Sequence, residues 1–572
     1  MRPWCLENPT VRSPFRLRDG LIALSKSSLQ GQLRGREQEV AFRNLLGELG
    51  VVTLGSDSTF SVSRKWRKAM SRHGFLYPQV SESSTVSQGE IGAVDTITPN
   101  GWRLIQADSV PGMQECFLRS LAAYYIPSDF EKDYEFPMFS PLRHTLAVML
   151  ELEKSTGESQ LSFIEMAVVV QLSTAADTPT NIVAKLLDLR ERRKIAINKK
   201  QFDGQELADA SILHDYEPQT FKDYADTNFR YLKATGLVQN KGRGIALIPE
   251  KHIFIEKLVA DDKAPDSDLV FYTSLCNGAT LPTDNKDSAL LVLEDLLSQL
   301  NKLGIKFDVT SRPLATPADI GGVRHEIEAI LSARKEEDYA TRQAGEWEEI
   351  VAYMNLLIHR NRKSITLANG EKIEIPQAEA PAYFEWILWR AFLAINSLKN
   401  KPYEARRFKI DQDFLPVGTA PGNGPDLIFE FEEFVLVVEV TLTDNSRQEA
   451  AEGEPVRRHV ARIVESYAGK RIFGLFIANK VDTNTAETLR IGFWYKSDDS
   501  KMALQIVPVT LEQFEKLFSA GFATGEITPK LIQEFIRDCL AVSNHDAPEW
   551  KREIERTVQD KVLRLRTTQG VS

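Results

Sequence analysis

The C-terminal third of the chain alternates apolar helices with short apolar strands. An apolar helix in "AYFEWILWRAFLAINSL" precedes a short strand in "RRFKI", two strands in "PDLIFEFEEFVLVVEVT", a helix in "EPVRRHVARIVESYA" and strands in "RIFGLFIA" and "LQIVPV". Thr510, with Gln513 three residues later, has the spacing of a capping box that begins a further helix. This order of elements predicts a mixed α/β region around a small central sheet.

Two segments of the N-terminal half have the pattern of a winged helix-turn-helix unit. The first, within residues 36–105, contains the basic helix "SVSRKWRKAMSRHGFL" and a hairpin-like segment in "DTITPNGWRLI". The second has helices in "LSFIEMAVVVQLSTA" and "TPTNIVAKLLDLRERRK" and ends in two strands around "NKGRG". Lys241, Gly242 and Arg243 would form the tip of its wing.

A dense basic run, "RERRKIAINKK", occupies residues 190–200 of the second segment. Taken alone, such a run is as consistent with a solvated helix end as with a binding surface. Its position between a helix pair and a basic wing tip favours contact with phosphate groups.

Charged amphipathic helices fill the region from about residue 285 to 375, for example in "KDSALLVLEDLLSQLNKL". No catalytic constellation is visible there, so we interpret this region as a helical linker. We predict two winged-helix-type subdomains at 1–140 and 141–282, a linker at 283–378 and a further domain at 379–572. The predicted fold class is therefore multidomain, α+β and α/β, with a small mixed sheet in the last domain.

Length, charge and cysteine usage narrow the class of protein. The 572 residues exceed what one hydrophobic core usually contains, and the net charge of −10 argues against a generally cationic coat for nucleic acid. Local basic faces remain compatible with that charge. The four cysteines form no CxxC pair, which fits a reducing cytoplasm. Without a long apolar run or a signal-peptide pattern, we expect neither export nor a membrane span.

Two acids stand at the ends of the paired strands in "PDLIFEFEEFVLVVEVT". If the strands turn at Glu432 and Glu433, the numbers of opposed residues sum to 865, and Asp426 lies across from Glu439 on one face. Like charges in this position destabilise a sheet, and burying an unpaired carboxylate costs several kcal/mol. Either a shared proton or a divalent cation would relieve the repulsion, and oxygen ligands of this kind suit Mg²⁺.

A third acid, Glu385, shares a helix face with Leu388, Trp389 and Phe392. It could extend the acidic site, or it could be a solvent-facing charge in the first turn of its helix, where acids are favoured. Two more acids, at 452 and 454, precede "PVRRHV" and could equally be capping residues of that helix.

A glutamate thirteen positions after an aspartate, with the aspartate ending the turn-prone "GNGPD", has the form of a PD-(D/E)XK nuclease motif. The motif alone is loose. Thr441 stands where the motif has lysine.

In combination, these motifs resemble the AlwI-like family of type IIS restriction endonucleases, which includes site-specific nicking endonucleases. The resemblance runs from "FEWILWRAFLAINSL" through "PDLIFEFEEFVLVVEVT" to "EGEPVRRHV", and upstream through "ITPNGWRLI", "LRERRKIAINKKQF" and "NFRYLKATGLV". The family itself has threonine at the lysine position, so Thr441 matches it.

The resemblance implies a site and an organisation. Its catalytic residues would be Glu385, Asp426, Glu439, Glu452 and His459. It also implies an N-terminal DNA-recognition domain with winged-helix subdomains, a helical linker and a C-terminal PD-(D/E)XK-type cleavage domain.

From these residues we expect Mg²⁺-dependent phosphodiester hydrolysis, with Mn²⁺ as a substitute cofactor. Asp426, Glu439 and Glu385 would bind the metal, and Glu452 would extend the acidic site. His459 is either a charge-stabilising residue or a packed helix histidine. Further candidates for the role of the missing lysine are Arg457, Arg458 and Lys480, although Lys480 also fits a solvated strand end.

The expected partner is double-stranded DNA, cut to one side of a short asymmetric site. Cutting both strands would need a second subunit, a transient homodimer or a second event, and a cognate DNA methyltransferase would belong to the same system. Candidate DNA contacts are Arg64, Lys65, Arg67, Lys68, Arg72, Arg192, Arg193, Lys199, Lys241 and Arg243. The alternative is a non-catalytic DNA-binding regulator that keeps the nuclease domain as a scaffold.

Overall fold

The structure is a computed structural model that describes residues 2–52, 54, 61–82, 84–131, 134–370, 372–444, 447–467 and 469–568. Contacts divide the chain into two compact units, Met1–Ala329 and Ile330–Ser572. The division falls within one long helix, Pro317–Arg342. The four-domain organisation stays a prediction.

The first unit is mainly helical. Its helices are α1 (Arg16–Ser25), α2 (Arg36–Glu48), α3 (Ser61–Arg72), α4 (Gln88–Ile91), α5 (Pro99–Gln106), α6 (Val110–Ala123), α7 (Pro141–Thr156), α8 (Phe163–Val168), α9 (Pro179–Ile195), α10 (Lys199–His214), α11 (Pro218–Ala234), α12 (His252–Ala260), α13 (Asp268–Asn277) and α14 (Lys286–Lys302), with α15 (Pro317–Arg342) crossing the division. Its strands are β1 (Leu161–Ser162), β2 (Val238–Lys241) and β3 (Gly244–Leu247).

The basic helix predicted in the first segment is confirmed as α3, but the hairpin-like segment after it is wrong. Most of "DTITPNGWRLI" forms α5. Its first residues join residues 75–77 through the isolated bridge between Leu76 and Ile97 and neighbouring backbone hydrogen bonds, and they form no strand among the described residues. The Thr98 side chain accepts a hydrogen bond from the amide of Gly101, and Pro99 occupies the first helical turn. This cap and proline begin a helix, so they outweigh the strand-like composition of the segment.

The hairpin of the second segment is confirmed. Strands β2 and β3 are antiparallel, Lys241 pairs with Gly244, and β1 adds to the other edge of β3. Gly242 sits in the turn with a positive φ of 56°, which glycine adopts without strain. Helix α9 begins at the predicted Thr178 cap. Helix α10 has no counterpart among the predicted elements, and the winged-helix type of the unit stays a prediction.

The second unit combines one mixed sheet with helices on its faces. Its helices are α16 (Trp347–Ile358), α17 (Ala380–Ile395), α18 (Pro402–Ala405), α19 (Glu454–Ser466), α20 (Thr483–Ile491), α21 (Leu511–Thr524), α22 (Pro529–Ala541) and α23 (Ala547–Thr568). Its strands are β4 (Ser364–Thr366), β5 (Lys372–Glu374), β6 (Leu427–Glu430), β7 (Phe434–Thr441), β8 (Arg471–Ala478), β9 (Phe493–Tyr495), β10 (Lys501–Ala503) and β11 (Ile506–Thr510).

The central sheet has the order β11-β8-β7-β6, with β6 antiparallel and the other pairs parallel, so the predicted mixed sheet is confirmed. Leu427 pairs with Val438 and Glu430 with Val435, which is the predicted register. The strand predicted in "RRFKI" is wrong: within the described residues this segment forms only isolated bridges at Arg406 and Ile410. The capping box at Thr510 is confirmed.

Strand β7 is buried on both faces because two helical layers cover it. Leu436 and Val438 belong to a core that includes residues of α16, α17 and α21, while Val435 and Val437 pack with Val456 and other residues of α19. Successive residues of a strand point to opposite faces. Glu439, the next odd-numbered position, therefore faces the α19 side, at the end of the buried run.

The region predicted as a linker contributes α14, α15 and α16, which are helical as expected, and also the short β4–β5 hairpin. Within the described part of the chain, none of the helices combines the length and the apolar character needed to cross a membrane.

Candidate active site

Asp426 and Glu439 come together at the end of the β6–β7 pair. Asp426 directly precedes β6, and its carboxylate oxygen Oδ2 accepts a hydrogen bond of 2.9 Å from the amide of Val440. The carboxyl groups of Asp426 and Glu439 lie close enough to influence one another's pKa. The opposed pair inferred from the strand register is therefore confirmed as a contact.

Glu385 reaches the same cluster from α17. It is 5% exposed and lies in the second turn of the helix, so the solvent-facing alternative for this acid is wrong. Its oxygen Oε2 accepts a hydrogen bond of 2.7 Å from the amide of Ala420 in the loop before β6. Burial, and next the charge of Asp426, raises the pKa of Glu385 to about 9.

Burial and neighbouring negative charge also raise the pKa values of Asp426 and Glu439. Burial, and then the neighbouring charge of Glu439, raises the pKa of Asp426 to about 8. The pKa of Glu439 lies well above its ordinary value because of burial and then the charge of Glu452. Because their raised pKa values of about 9 and about 8 lie above neutral pH, Glu385 and Asp426 hold protons there when no cation is bound.

Glu452 joins the cluster from a π-helical turn, Glu449–Gly453, that precedes α19. Burial raises the pKa of Glu452, and the neighbouring Thr441 side chain opposes that rise. The N-cap residue of α19 is Gly453, and no side chain caps this end of the helix. The geometry thus favours a site residue over a capping residue at 452. It also gives Thr441, at the lysine position of the motif, a contact with a site acid.

His459 lies on the inner face of α19 and is buried. Its ring nitrogen Nδ1 lies 2.7 Å from Oε1 of Glu439, and Nε2 is buried without a hydrogen-bond partner among the described residues. Burial, and next the charge of Arg458, lowers the pKa of His459. The histidine is therefore packed in the helix and also directed at a site acid.

The other candidate cations have contacts outside the acidic cluster. Arg458 forms an ion pair with Glu454 one turn earlier, and Arg457 donates to the carbonyl of Gly453. Lys480 is exposed just after β8, and its charge acts on Lys551.

One cation beside the cluster was missed in the sequence. Arg407 donates from Nη1 to the carbonyls of Pro421 (3.2 Å) and Pro425 (3.4 Å), and from Nη2 to the side chain of Asn423. Its charge opposes the rise in pKa of Glu385 and of Glu439. Arg407 thus fixes the loop before Asp426 and places a positive charge near the acids.

These donors fit a hard divalent cation in chemical type, since the four acids offer only oxygen. Their buried carboxyl groups repel one another, and a cation would stabilise the charged forms. As the side chains stand, no group of three or more His, Cys, Asp or Glu residues in the described ranges is arranged to hold a metal ion. Binding of a cation would therefore require these side chains to rearrange.

The predicted DNA contacts of α3 differ in placement. Arg64 and Lys68 are exposed, Lys65 donates to the hydroxyl of Thr10, and Arg67 donates to the carbonyl of Leu33. Arg72 is different, because its side chain is 19% exposed and pairs with the buried Glu7 (3.5 Å) and Glu131 (2.9 Å). This placement favours a structural role for Arg72 over contact with phosphate.

In the second segment, Arg192 pairs with Asp188 and Glu206, and Arg193 pairs with Asp203. The side chains of Lys199, Lys241 and Arg243 are exposed. Lys241 lies 3.3 Å from Glu158, itself an exposed residue.

The chain has a mixed sheet with buried acids at one end, and it matches a restriction endonuclease family over most of its length. Together these observations define a restriction-type DNA endonuclease. The match is to the AlwI restriction endonuclease over residues 73–517, and the chain belongs to this family. The resemblance found in the sequence motifs is confirmed.

Two solved structures are similar to parts of the chain. The small subunit of the heterodimeric restriction endonuclease R.BspD6I is 23% identical over 37% of this chain and 98% of that chain, with a TM-score of 0.29. The BpuJ1 endonuclease binding domain, solved with pyrene- and phenanthrene-modified DNA, is 13% identical over 42% and 85%, with a TM-score of 0.28. At these TM-scores neither structure supports an argument about this chain. The comparison with curated proteins found no match.

Proposed function

We propose that this protein is a sequence-specific, Mg²⁺-dependent DNA endonuclease of the PD-(D/E)XK type that cuts to one side of a short asymmetric site. The observation that supports this most is the convergence of Glu385, Asp426, Glu439 and Glu452 at the end of β6 and β7. Four acids that a folded chain buries together destabilise it unless they bind protons or a cation. Mn²⁺ would substitute for Mg²⁺.

Asp426, Glu439 and Glu385 would hold the cation, and Glu452 would extend the acidic site. When bound, a divalent cation supplies a Lewis acid that polarises the scissile phosphate and offsets the charge that develops on it. The chain's own residues would arrange this site. Thr441 would help to position the carboxylate of Glu452.

His459 would orient Glu439 through Nδ1, and its unpartnered Nε2 would be satisfied by water or by a phosphate oxygen. In place of a motif lysine, we assign the supporting positive charge to Arg407, whose contacts also set the loop that carries Asp426.

The first unit would recognise the DNA, with exposed cations of α3, α9–α10 and the β2–β3 turn contacting phosphates. A single acidic site in each chain would nick one strand, so a double-strand break would require a second subunit, a transient homodimer or a second event. A methyltransferase that protects the same sequence would be the partner activity of such a system.

Supercoiled plasmid DNA separates the endonuclease from a non-catalytic regulator. With Mg²⁺, we expect conversion to open-circular or linear DNA, with no conversion in EDTA. Sequencing both product ends would then give the recognised site, the offset of the cut and the number of strands cut. Binding of plasmid without any cleavage in Mg²⁺ or Mn²⁺ would contradict the proposal and favour the regulator.

The acidic cluster also predicts how stability depends on pH in the absence of divalent cations. The pKa of Glu385 is raised from 4.5 to about 9, so the folded chain binds more protons than the unfolded chain between these values. Stability conferred by the protonated form is present below pH 4.5 and is lost as the pH rises toward 9.

We therefore expect Glu385→Gln to raise the melting temperature in EDTA at pH 8 by at least about 2 °C, with a smaller difference near pH 5. Glutamine keeps an oxygen for the amide of Ala420, which makes this a conservative change. Thermal unfolding of both proteins across pH 5–9 is the measurement. Parallel pH profiles would contradict the assignment of Glu385 to a repulsive cluster.

A further inference from the structure

Two large aliphatic side chains project into solvent where α9 meets α10. Ile195, the last residue of α9, is 81% exposed, and Ile197, in the three-residue connection, is 106% exposed. Single exposed apolar residues are ordinary on protein surfaces. Two isoleucines this exposed, two positions apart on one connection, form a small apolar projection. We refer to residues 195–198 as the α9–α10 tip.

The base of the tip is held firmly. Arg193 of α9 forms a bidentate ion pair with Asp203 of α10 (2.6 and 2.9 Å), and Arg192 of α9 pairs with Glu206 of α10. The guanidinium of Arg192 also lies over the ring of Phe202, 5.6 Å from its centre. These contacts join the end of α9 to the start of α10, so the tip is presented on a fixed support. The two arginines are occupied by this support.

The charges around the tip indicate the class of ligand that it binds. Residues 190–200 contain six basic residues and one acid. Lys199 and Lys200 are exposed directly beside the tip, and neither forms an ion pair with any residue that the structure describes. An apolar projection flanked by unpaired cations is complementary to a polyanion with apolar surfaces between its charges. Duplex DNA has that arrangement, because its phosphates flank sugars and stacked bases.

We propose that the α9–α10 tip is a DNA contact in which Lys199 and Lys200 bind phosphates while Ile195 and Ile197 pack against sugars and bases in a groove. Apolar side chains of this kind are used by proteins that wedge base steps apart. The inference rests on the proposed function in requiring DNA as the ligand. The inference adds apolar contacts to the proposed DNA interface. It also assigns the phosphate contacts of the basic run to Lys199 and Lys200 in place of Arg192 and Arg193.

The test measures binding of the full-length chain to plasmid DNA in EDTA, where cleavage is absent, over a series of salt concentrations. Ile195→Ser combined with Ile197→Ser should weaken binding about 10-fold, because burial of two apolar side chains is lost. The salt dependence should stay that of the unaltered protein, since no phosphate contact is removed. Lys199→Gln combined with Lys200→Gln should weaken binding and reduce the salt slope by about 2.

The matched control lies on the same helix. Ile212→Ser combined with Leu213→Ser removes two side chains that are 82% and 77% exposed near the other end of α10, and should bind as the unaltered protein does. Serine variants of the tip that also bind like the unaltered protein would overturn the inference. Plasmid cleavage in Mg²⁺ is measured separately. Normal binding by the tip variants counts against this inference alone, whereas binding of DNA without cleavage by the unaltered protein counts against the endonuclease proposal. A chain that does not bind plasmid at all would overturn both.

Discussion

Replacing Asp426 by asparagine is expected to reduce plasmid cleavage by about 10³-fold or more. Loss of a metal ligand removes several kcal/mol of transition-state stabilisation, and each 1.36 kcal/mol corresponds to tenfold in rate. Asparagine retains an oxygen that can accept from the amide of Val440, so the end of the β6–β7 pair should keep its shape. Initial rates of nicking at saturating Mg²⁺ are the measurement.

Glu454→Gln is the control for this change. Glu454 is a nearby acid, but it is exposed and pairs with Arg458 outside the cluster, so its replacement should leave the rate within about twofold. Both variants should bind plasmid in EDTA as the unaltered chain does, since we assign DNA recognition to the first unit. Cleavage by the Asp426 variant at the rate of the Glu454 variant would show that the acids at the end of β7 are not the catalytic site.

The second large effect is expected at Arg407. Arg407→Ala should reduce kcat by about 100-fold, the size of the loss when one charge-stabilising donor is removed from an active site. Two contributions are combined in this value: the charge beside the acids, and the hydrogen bonds to Pro421, Asn423 and Pro425.

Two further variants separate those contributions. Arg407→Lys keeps the charge and loses the forked hydrogen bonds, whereas Arg407→Gln can keep a hydrogen bond and loses the charge. If charge dominates, lysine restores most of kcat and glutamine does not, while KM for plasmid changes little in either. Unchanged kcat in the alanine variant would remove Arg407 from the site and return the role of the missing lysine to His459 or to the metal alone.

The sequence was informative where the signal is local. The turn at Glu432 and Glu433 and the apolar strands beside it determine the β6–β7 register, and from that register the meeting of Asp426 with Glu439 followed without any tertiary information. Likewise, the Thr510 capping box needs only residues three positions apart.

Sequence reasoning failed where local signals compete or where distant segments meet. The segment "DTITPNGWRLI" is predicted as hairpin-like, yet a helix-starting threonine and proline within it begin α5. Arg407 lies in a segment predicted as a strand, and its role depends on the loop at residues 420–425 folding back onto it, which no spacing reveals. The buried partners of Arg72 are similarly distant in the chain, at Glu7 and Glu131.

Binding of Mn²⁺ tests the central claim, that the acids at the end of β6 and β7 form a divalent-cation site, most directly. Titration of the chain with Mn²⁺, followed by electron paramagnetic resonance, should show bound ion in the unaltered protein and in Glu454→Gln, and its loss in Asp426→Asn. Absence of bound Mn²⁺ in the unaltered chain, with or without DNA, or equal binding by the Asp426 variant, would contradict the account.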